Sequence, residues 1–297
     1  MSAPARAAGA APVLRGRAEA LAAPLPPLLA RAERLAASVL PGGHGRRRAG
    51  TGEAFWQFRP AVPGDPARSL DWRRSAMGDH SYVRQTEWEA PQTVLLWVDR
   101  SRSMAFSEDG RPPKRDRAAL LALALSILLL RGGERVGLAG GAEPPRAGRA
   151  RAEQLAVRLS ELEEAEYGAP PATIPARGAR LVLISDFLGD PAPALSAVRA
   201  AAGVGAPGTL LQVVDPAEEA FPYEGRTLFT SMGGALTHDT RAAGGLRARY
   251  ADRMAERRAL LADAARRAGF GWRVHRTDAS AGHALRALWQ ELSGSAA

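Results

Sequence analysis

The chain has 297 residues, 46% of them hydrophobic and 24% charged, which is ordinary for a globular protein able to bury a sizeable core. It contains no cysteine, which excludes disulfide frameworks, thiolate metal sites and cysteine nucleophiles. The formal charge is +9, yet among the 40 basic residues Lys114 is the one lysine; the Arg/Ala bias is that of a GC-rich genome, so charge alone does not indicate a nucleic-acid partner.

Taken in chain order, residues 1–12 lack an apolar core segment, do not read as a signal peptide, and are predicted to be disordered. Val13 to Leu40 predicts two helical pieces broken near Pro24, Pro26 and Pro27, ended by the turn at 41–45. Residues 1–45 are thus an N-terminal arm. Residues 46–92 form a β segment, in which EAFWQFRP and SYVRQTEWEA alternate as strands do. The run Arg46–Arg48 reads as a solvated basic face. Between the two strands, Asp65, Arg68, Asp71 and Trp72 suit either a partner-recognition surface or local anchors. The second reading is preferred: Asp65 closes the Pro63-Gly64 turn, Asp71 pairs with an arginine, and Trp72 fills a small core.

Residues 93–297 predict an α/β domain of alternating strands and helices. Strands are expected at 93–98, 135–139, 180–185, 208–214 and 272–275, and helices at 116–130, 152–164, 192–201, 244–268 and 282–292, with a hairpin insertion near 226–238. Aliphatic strands without alternation indicate a mostly parallel sheet covered on both faces. The most apolar run, Ala118 to Leu130, falls well short of the ~20 residues that cross a bilayer. No transmembrane segment and a cytoplasmic protein are the resulting expectations.

Ligands of open parallel sheets sit at the carboxyl ends of the strands. Here one strand runs into Asp99 of VLLWVDRSRSM and another into Asp186 of LVLISDF. Ser101 and Ser103, on alternate positions after Asp99, turn inward while Arg100 and Arg102 face out. Asp99, Ser101, Ser103 and Asp186 are candidate ligands for a hard divalent ion, Mg²⁺ or else Mn²⁺ or Ca²⁺. The alternative is capping and turn formation by the same residue types.

The D-x-S-x-S-M form of Asp99–Met104 resembles the metal-ion-dependent adhesion site (MIDAS) of von Willebrand factor A domains. With Gly50-x-Gly52-Glu53-x-Phe55, PGDPARSLDWRRSA (63–76), the Glu87/Glu89 strand, GGERVGL, LVLISDF, VVDPAEEAFP and the Tyr250 helix, roughly residues 35–292 resemble the bacterial family of domain of unknown function 58 (DUF58). That resemblance implies a von Willebrand A-like, Rossmann-type fold. It also implies work with a MoxR-type AAA+ ATPase, and with membrane-anchored von Willebrand A proteins of the same system, as an adaptor or co-chaperone rather than an enzyme. The family's adhesion site takes a threonine from a second loop. Here Thr173 is the only candidate, among Pro170, Pro171 and Pro175; either it reaches the rim irregularly or the site lacks that contact.

Other motifs carry less. Gly203–Gly208 spells G-x-G-x-x-G but follows a helix and precedes a strand, so it is a turn. No P-loop and no G-x-S-x-G elbow occur. A phosphatase of the haloacid dehalogenase type would need a second aspartate where Ser101 stands, and a downstream lysine. The five histidines lack zinc spacing. The leading expectation is an interaction protein that presents Asp99, Ser101, Ser103 and Asp186 to a partner carboxylate, without specific nucleic acid. The competing class is a Mg²⁺-dependent phosphoester hydrolase using Asp99 and Asp186.

Overall fold

The structure is a computed structural model. It describes residues 27–39, 46–50, 54–63, 65–66, 69–78, 80–108, 110–172, 175–234 and 236–294, with backbone alone for 46–50, 54–57 and 84–90. The N-terminal stretch expected to be disordered, the first helical piece, Arg68 and Thr173 lie outside the described residues.

The two alternating segments form β2 (Ala54–Pro60) and β3 (Tyr82–Ala90), and β1 (Arg46–Gly50) pairs on the other side of β3, giving an antiparallel sheet of order β1-β3-β2. Asp65 closes its turn as expected, accepting from the Val62 amide at 2.8 Å. Arg59 grips it through both guanidinium nitrogens at 2.7 and 2.5 Å. These bonds hold the carboxyl at about 2. Asp71 caps the short helix α2 (Trp72–Ser75) by accepting from the Arg74 amide at 2.9 Å. Trp72 does not fill a core: it is 64% exposed. The Arg74 guanidinium lies over the Phe58 ring, 4.6 Å from its centroid, and closes that face instead.

The main sheet is built from β4 (Thr93–Val98), β5 (Arg135–Leu138), β6 (Arg180–Ser185), β7 (Gly208–Val214) and β10 (Gly271–Arg276). Its order is β5-β4-β6-β7-β10 and every pairing is parallel. β6 and β7 are buried along their whole length, as their unbroken aliphatic sequences require. One face is covered by α1 (Pro27–Ala37), α3 (Lys114–Arg131), α4 (Ala150–Ser160) and α8 (Ala281–Gly294). The other carries α5 (Ala192–Gly203) and α7 (Arg247–Arg267). α3 is the apolar run of the sequence; with the sheet on one side and α1, α4 and α8 on the other, nearly all its positions are buried. Strands β8 (Thr227–Thr230) and β9 (Thr237–Thr240) form the hairpin around Gly233-Gly234. The architecture is α/β, a parallel sheet between helical layers, consistent with a von Willebrand factor A-like fold. Among the described residues no helix is long and apolar enough to cross a membrane.

The chain leaves β4 for β5 on one side and returns to β6 on the other, so strand order reverses between β4 and β6. Asp99 and Asp186 follow these two strands directly. The fold therefore sets them on either side of the crevice where open α/β sheets bind their ligands.

Candidate functional site at the switch point

Asp99 and Asp186 are each 1% exposed, and Ser101 and Ser103 are buried beside them. The Asp99 amide donates to the Ile184 carbonyl at 2.8 Å, which ties the end of β4 to β6. One Asp99 oxygen accepts from the Ser101 amide at 2.9 Å, and the other from the Ser185 hydroxyl at 2.6 Å. The Ser101 and Ser103 hydroxyl oxygens stand 3.2 Å apart. Burial raises the Asp99 carboxyl above the usual range, and the charge of Asp186 adds to the rise; the bonds from Ser101 and Ser185 work against it.

Asp186 is held differently. Its Oδ1 accepts from the Leu188 amide at 3.0 Å, while its Oδ2 receives the Lys114 ammonium at 2.8 Å. Lys114, at the start of α3 and fully buried, also donates to Glu218 at 2.5 Å. Glu218 belongs to α6 (Pro216–Ala220), where its other oxygen accepts from the Asp215 amide in a capping box. Burial disfavours the ammonium, but the charges of Asp186 and Glu218 outweigh it and the Lys114 pKa is raised, so it stays protonated. Burial also lifts Glu218, against the pull of Lys114. The SDF turn is conformationally demanding: Phe187 has φ +52°, a left-handed value uncommon outside glycine and a form of strain that concentrates at functional sites.

Sequence reasoning missed Lys114, Glu218, Ser185 and the segment 161–168. The signal for Lys114 was present: a chain that otherwise uses arginine keeps one lysine, a compact point charge on a flexible stem. The expected helix 152–164 ends at Ser160 instead. Residues 161–168 leave it to cover the Asp99 loop: the Glu163 amide donates to the Arg100 carbonyl at 3.1 Å, and the Arg102 and Ser103 amides donate to the Ala165 and Glu166 carbonyls, each at 2.9 Å. The Gly168 backbone presses on the Asp99 carboxylate so closely that a Cβ there would overlap it. Arg100 and Arg102 face away from the hydroxyls as expected, Arg102 exposed and Arg100 drawn to Glu163.

Two hydroxyl oxygens 3.2 Å apart suit adjacent positions around a hard divalent ion, whose oxygens at 2.0–2.6 Å from the metal stand roughly 3 to 3.5 Å from one another. The hydroxyl pair of Ser101 and Ser103 therefore fits such an ion, with the buried Asp99 carboxylate next to it in the loop. Asp186 fits less well, because its charge is already met by Lys114. Among the described residues, no three His, Asp or Glu side chains are grouped to hold a metal.

Comparison with known proteins places the chain. It is 29% identical over 257 aligned positions to the uncharacterized proteins Rv1480 of Mycobacterium tuberculosis and Mb1516 of Mycobacterium bovis, covering 81% of this chain and 80% of each relative. Among solved structures it is similar to the conserved hypothetical protein BatB from Bacteroides thetaiotaomicron (23% identity, TM-score 0.43, 69% of this chain and 98% of that one). It is also similar to an aerotolerance-related membrane protein from Bacteroides fragilis (18% identity, TM-score 0.42, 68% and 99%). The model of the family described as protein of unknown function DUF58 matches residues 57–260, and the chain belongs to that family.

Proposed function

We propose that the chain is a protein-interaction adaptor or co-chaperone, a von Willebrand factor A-like module working with a MoxR-type AAA+ ATPase, whose recognition element is the Asp99–Met104 loop. The observation that supports this reading is the pair of hydroxyls of Ser101 and Ser103, 3.2 Å apart beside buried Asp99 at the switch point. Asp99, Ser101 and Ser103 would hold Mg²⁺, or Mn²⁺ or Ca²⁺ in its place. A bound divalent ion would supply a coordination position for a carboxylate oxygen of the partner and favour the ionised form of the Asp99 carboxyl, against the effect of burial. Ser185 orients Asp99, and Lys114 fixes the neighbouring SDF turn through Asp186. Membrane-anchored von Willebrand A proteins of the same system are the further partners this reading names, and the cytoplasm is the compartment it assigns.

The test is capture of the cognate MoxR-type ATPase by the tagged full chain, with Mg²⁺ or with EDTA, and by Asp99→Ala. ATP-driven assembly of the ATPase is held constant. Retention with Mg²⁺, and loss both in EDTA and with Asp99→Ala, is the expected result. Retention that ignores EDTA and Asp99→Ala alike would sink the recognition role of the loop. Turnover of a generic phosphoester, abolished by Asp99→Ala and by Asp186→Ala, would replace this reading with the hydrolase.

A further inference from the structure

The segment Glu161–Gly168, ELEEAEYG, lies along the D-x-S-x-S loop as a partner strand would. It makes the three backbone bonds described above, to Arg100, Arg102 and Ser103. Arg100 takes Glu163 at 2.5 Å and reaches Glu161 at 3.7 Å. The Glu166 carboxylate and the Arg102 stem meet at Gly233, in the hairpin between β8 and β9. Four of the eight residues are glutamates, and two of them, Glu161 and Glu163, pair with Arg100 of the loop.

The cover is thin. Leu162, Ala165 and Tyr167, the apolar side chains of the segment, are exposed, Leu162 at 65% and Tyr167 at 39%. Its one apolar anchor is Tyr167, which lies against Gly189, and solvent-facing ion pairs contribute at most about 1 kcal/mol each. Segments with so little buried apolar surface open locally at low cost. Even so, Asp99 and Ser101 are almost completely buried and the segment's Gly168 backbone lies against the Asp99 carboxylate, so a partner that reaches Asp99 from this side must take its place. Any such competitor meets the same two arginines and the same exposed backbone groups.

We infer that Glu161–Gly168 is an internal stand-in for the partner, and that the Arg100–Ser103 surface beneath it receives an extended, glutamate- or aspartate-rich segment of the partner protein. The inference rests on the adaptor reading and adds to it the chemistry of the partner and the autoinhibited state of the free chain.

The test uses the full chain and a capped peptide of sequence ELEEAEYG, with QLQQAQYG as control. In Glu161→Gln/Glu163→Gln, hydrogen exchange at the Arg102 and Ser103 amides should accelerate about ten-fold over wild type, as expected for a weakened local cover. The variant should also bind the acidic peptide several-fold more tightly than wild type does, and more tightly than it binds the control. Unchanged exchange would overturn the stand-in. Equal binding of the two peptides, or binding of neither by the opened variant, would overturn the acidic partner. Should the double variant unfold, Glu163→Gln alone carries the same readouts. The ATPase takes no part in these measurements, so failure here and failure of the capture experiment are told apart.

Discussion

A buried ammonium is tolerated only when it is paired, and Lys114 is paired twice, with Asp186 and Glu218. Lys114→Met would leave two carboxylates from different elements facing each other in the core without their counter-ion. The expected cost is about 3–5 kcal/mol, read as a lower urea midpoint at unchanged slope. A loss under about 1 kcal/mol would mean that water already reaches this pair. His275, in β10, offers an independent check through Arg117, one turn along α3 from Lys114. Its Nε2 lies 3.0 Å from the Arg117 guanidinium, which can only donate, so the ring is the acceptor and must be neutral at that nitrogen. Burial first, and Arg117 second, lower its pKa to about 4. A base whose pKa is depressed on folding takes up protons more readily in the unfolded chain. Stability is therefore lost as pH falls from about 6.5 towards 4, by about 3 kcal/mol in all from this group. The raised Asp99 and Glu218 carboxyls act with opposite sign, so the contribution is isolated as the difference between wild type and His275→Gln over that window. An NMR titration of His275 near its ordinary value would refute the assignment. Asp99, Ser101, Ser103 and Asp186 were legible in the sequence because each ends, or directly follows, a strand whose burial its aliphatic run announces. Their partners were not, since the bonds of Lys114, Ser185 and Glu218 that build the site span 72 to 104 positions, and no local pattern encodes that meeting.

Helix α4 shows where local propensity yields to tertiary hydrogen bonding. The run RAEQLAVRLSELEEAE carries good helix formers throughout, and sequence periodicity extends the helix to Glu164. Continuing it would leave the Arg102 and Ser103 amides, at a buried turn, without the carbonyls of Ala165 and Glu166, and orphaned buried amides are costly. The chain exits at Ser160, and Gly168 completes the cover because it has no side chain to strike Asp99. Gly168→Ala therefore either displaces the Asp99 carboxylate or lifts the segment. The expected cost is about 1–3 kcal/mol, as for other overpacked positions, with faster exchange at the Arg102 and Ser103 amides in native conditions. Wild-type stability and exchange in Gly168→Ala would show that the segment does not press on Asp99. The short helix α6 was hidden for a related reason. Five residues cannot show a helical period, and what fixes α6 is its capping box together with the reach of Glu218 to Lys114.

At the scale of the molecule, the parallel sheet could be read from strand–helix alternation, but its order could not, because aliphatic strands do not encode which neighbour they choose. That order puts Asp99 and Asp186 across one crevice, and it also leaves α3 needing a cover on the side away from the sheet. The N-terminal arm supplies it. Along α1 and the residue pair beyond it, Leu29, Ala32, Ala36 and Val39 recur at helical spacing and are all buried in the core that holds α3, with Leu28 and Leu35 packed alongside. Residues 27–39 of the arm are thus part of the domain's core, and their loss should be felt at the site, since α3 begins with Lys114. Burial of a Leu or Val side chain is worth about 1.5–3 kcal/mol, so deletion of residues 1–39 should cost at least about 3–6 kcal/mol from Leu29 and Val39 alone. The uncovered leucine-rich face of α3 should then drive self-association, visible as a concentration-dependent rise in mass by light scattering. Leu29→Ser makes the same point with one side chain, lowering the urea midpoint while the chain stays monomeric. A truncated protein as stable and monomeric as the full chain would show that α1 contributes nothing to the core, and that Lys114 is positioned by the sheet and α6 alone.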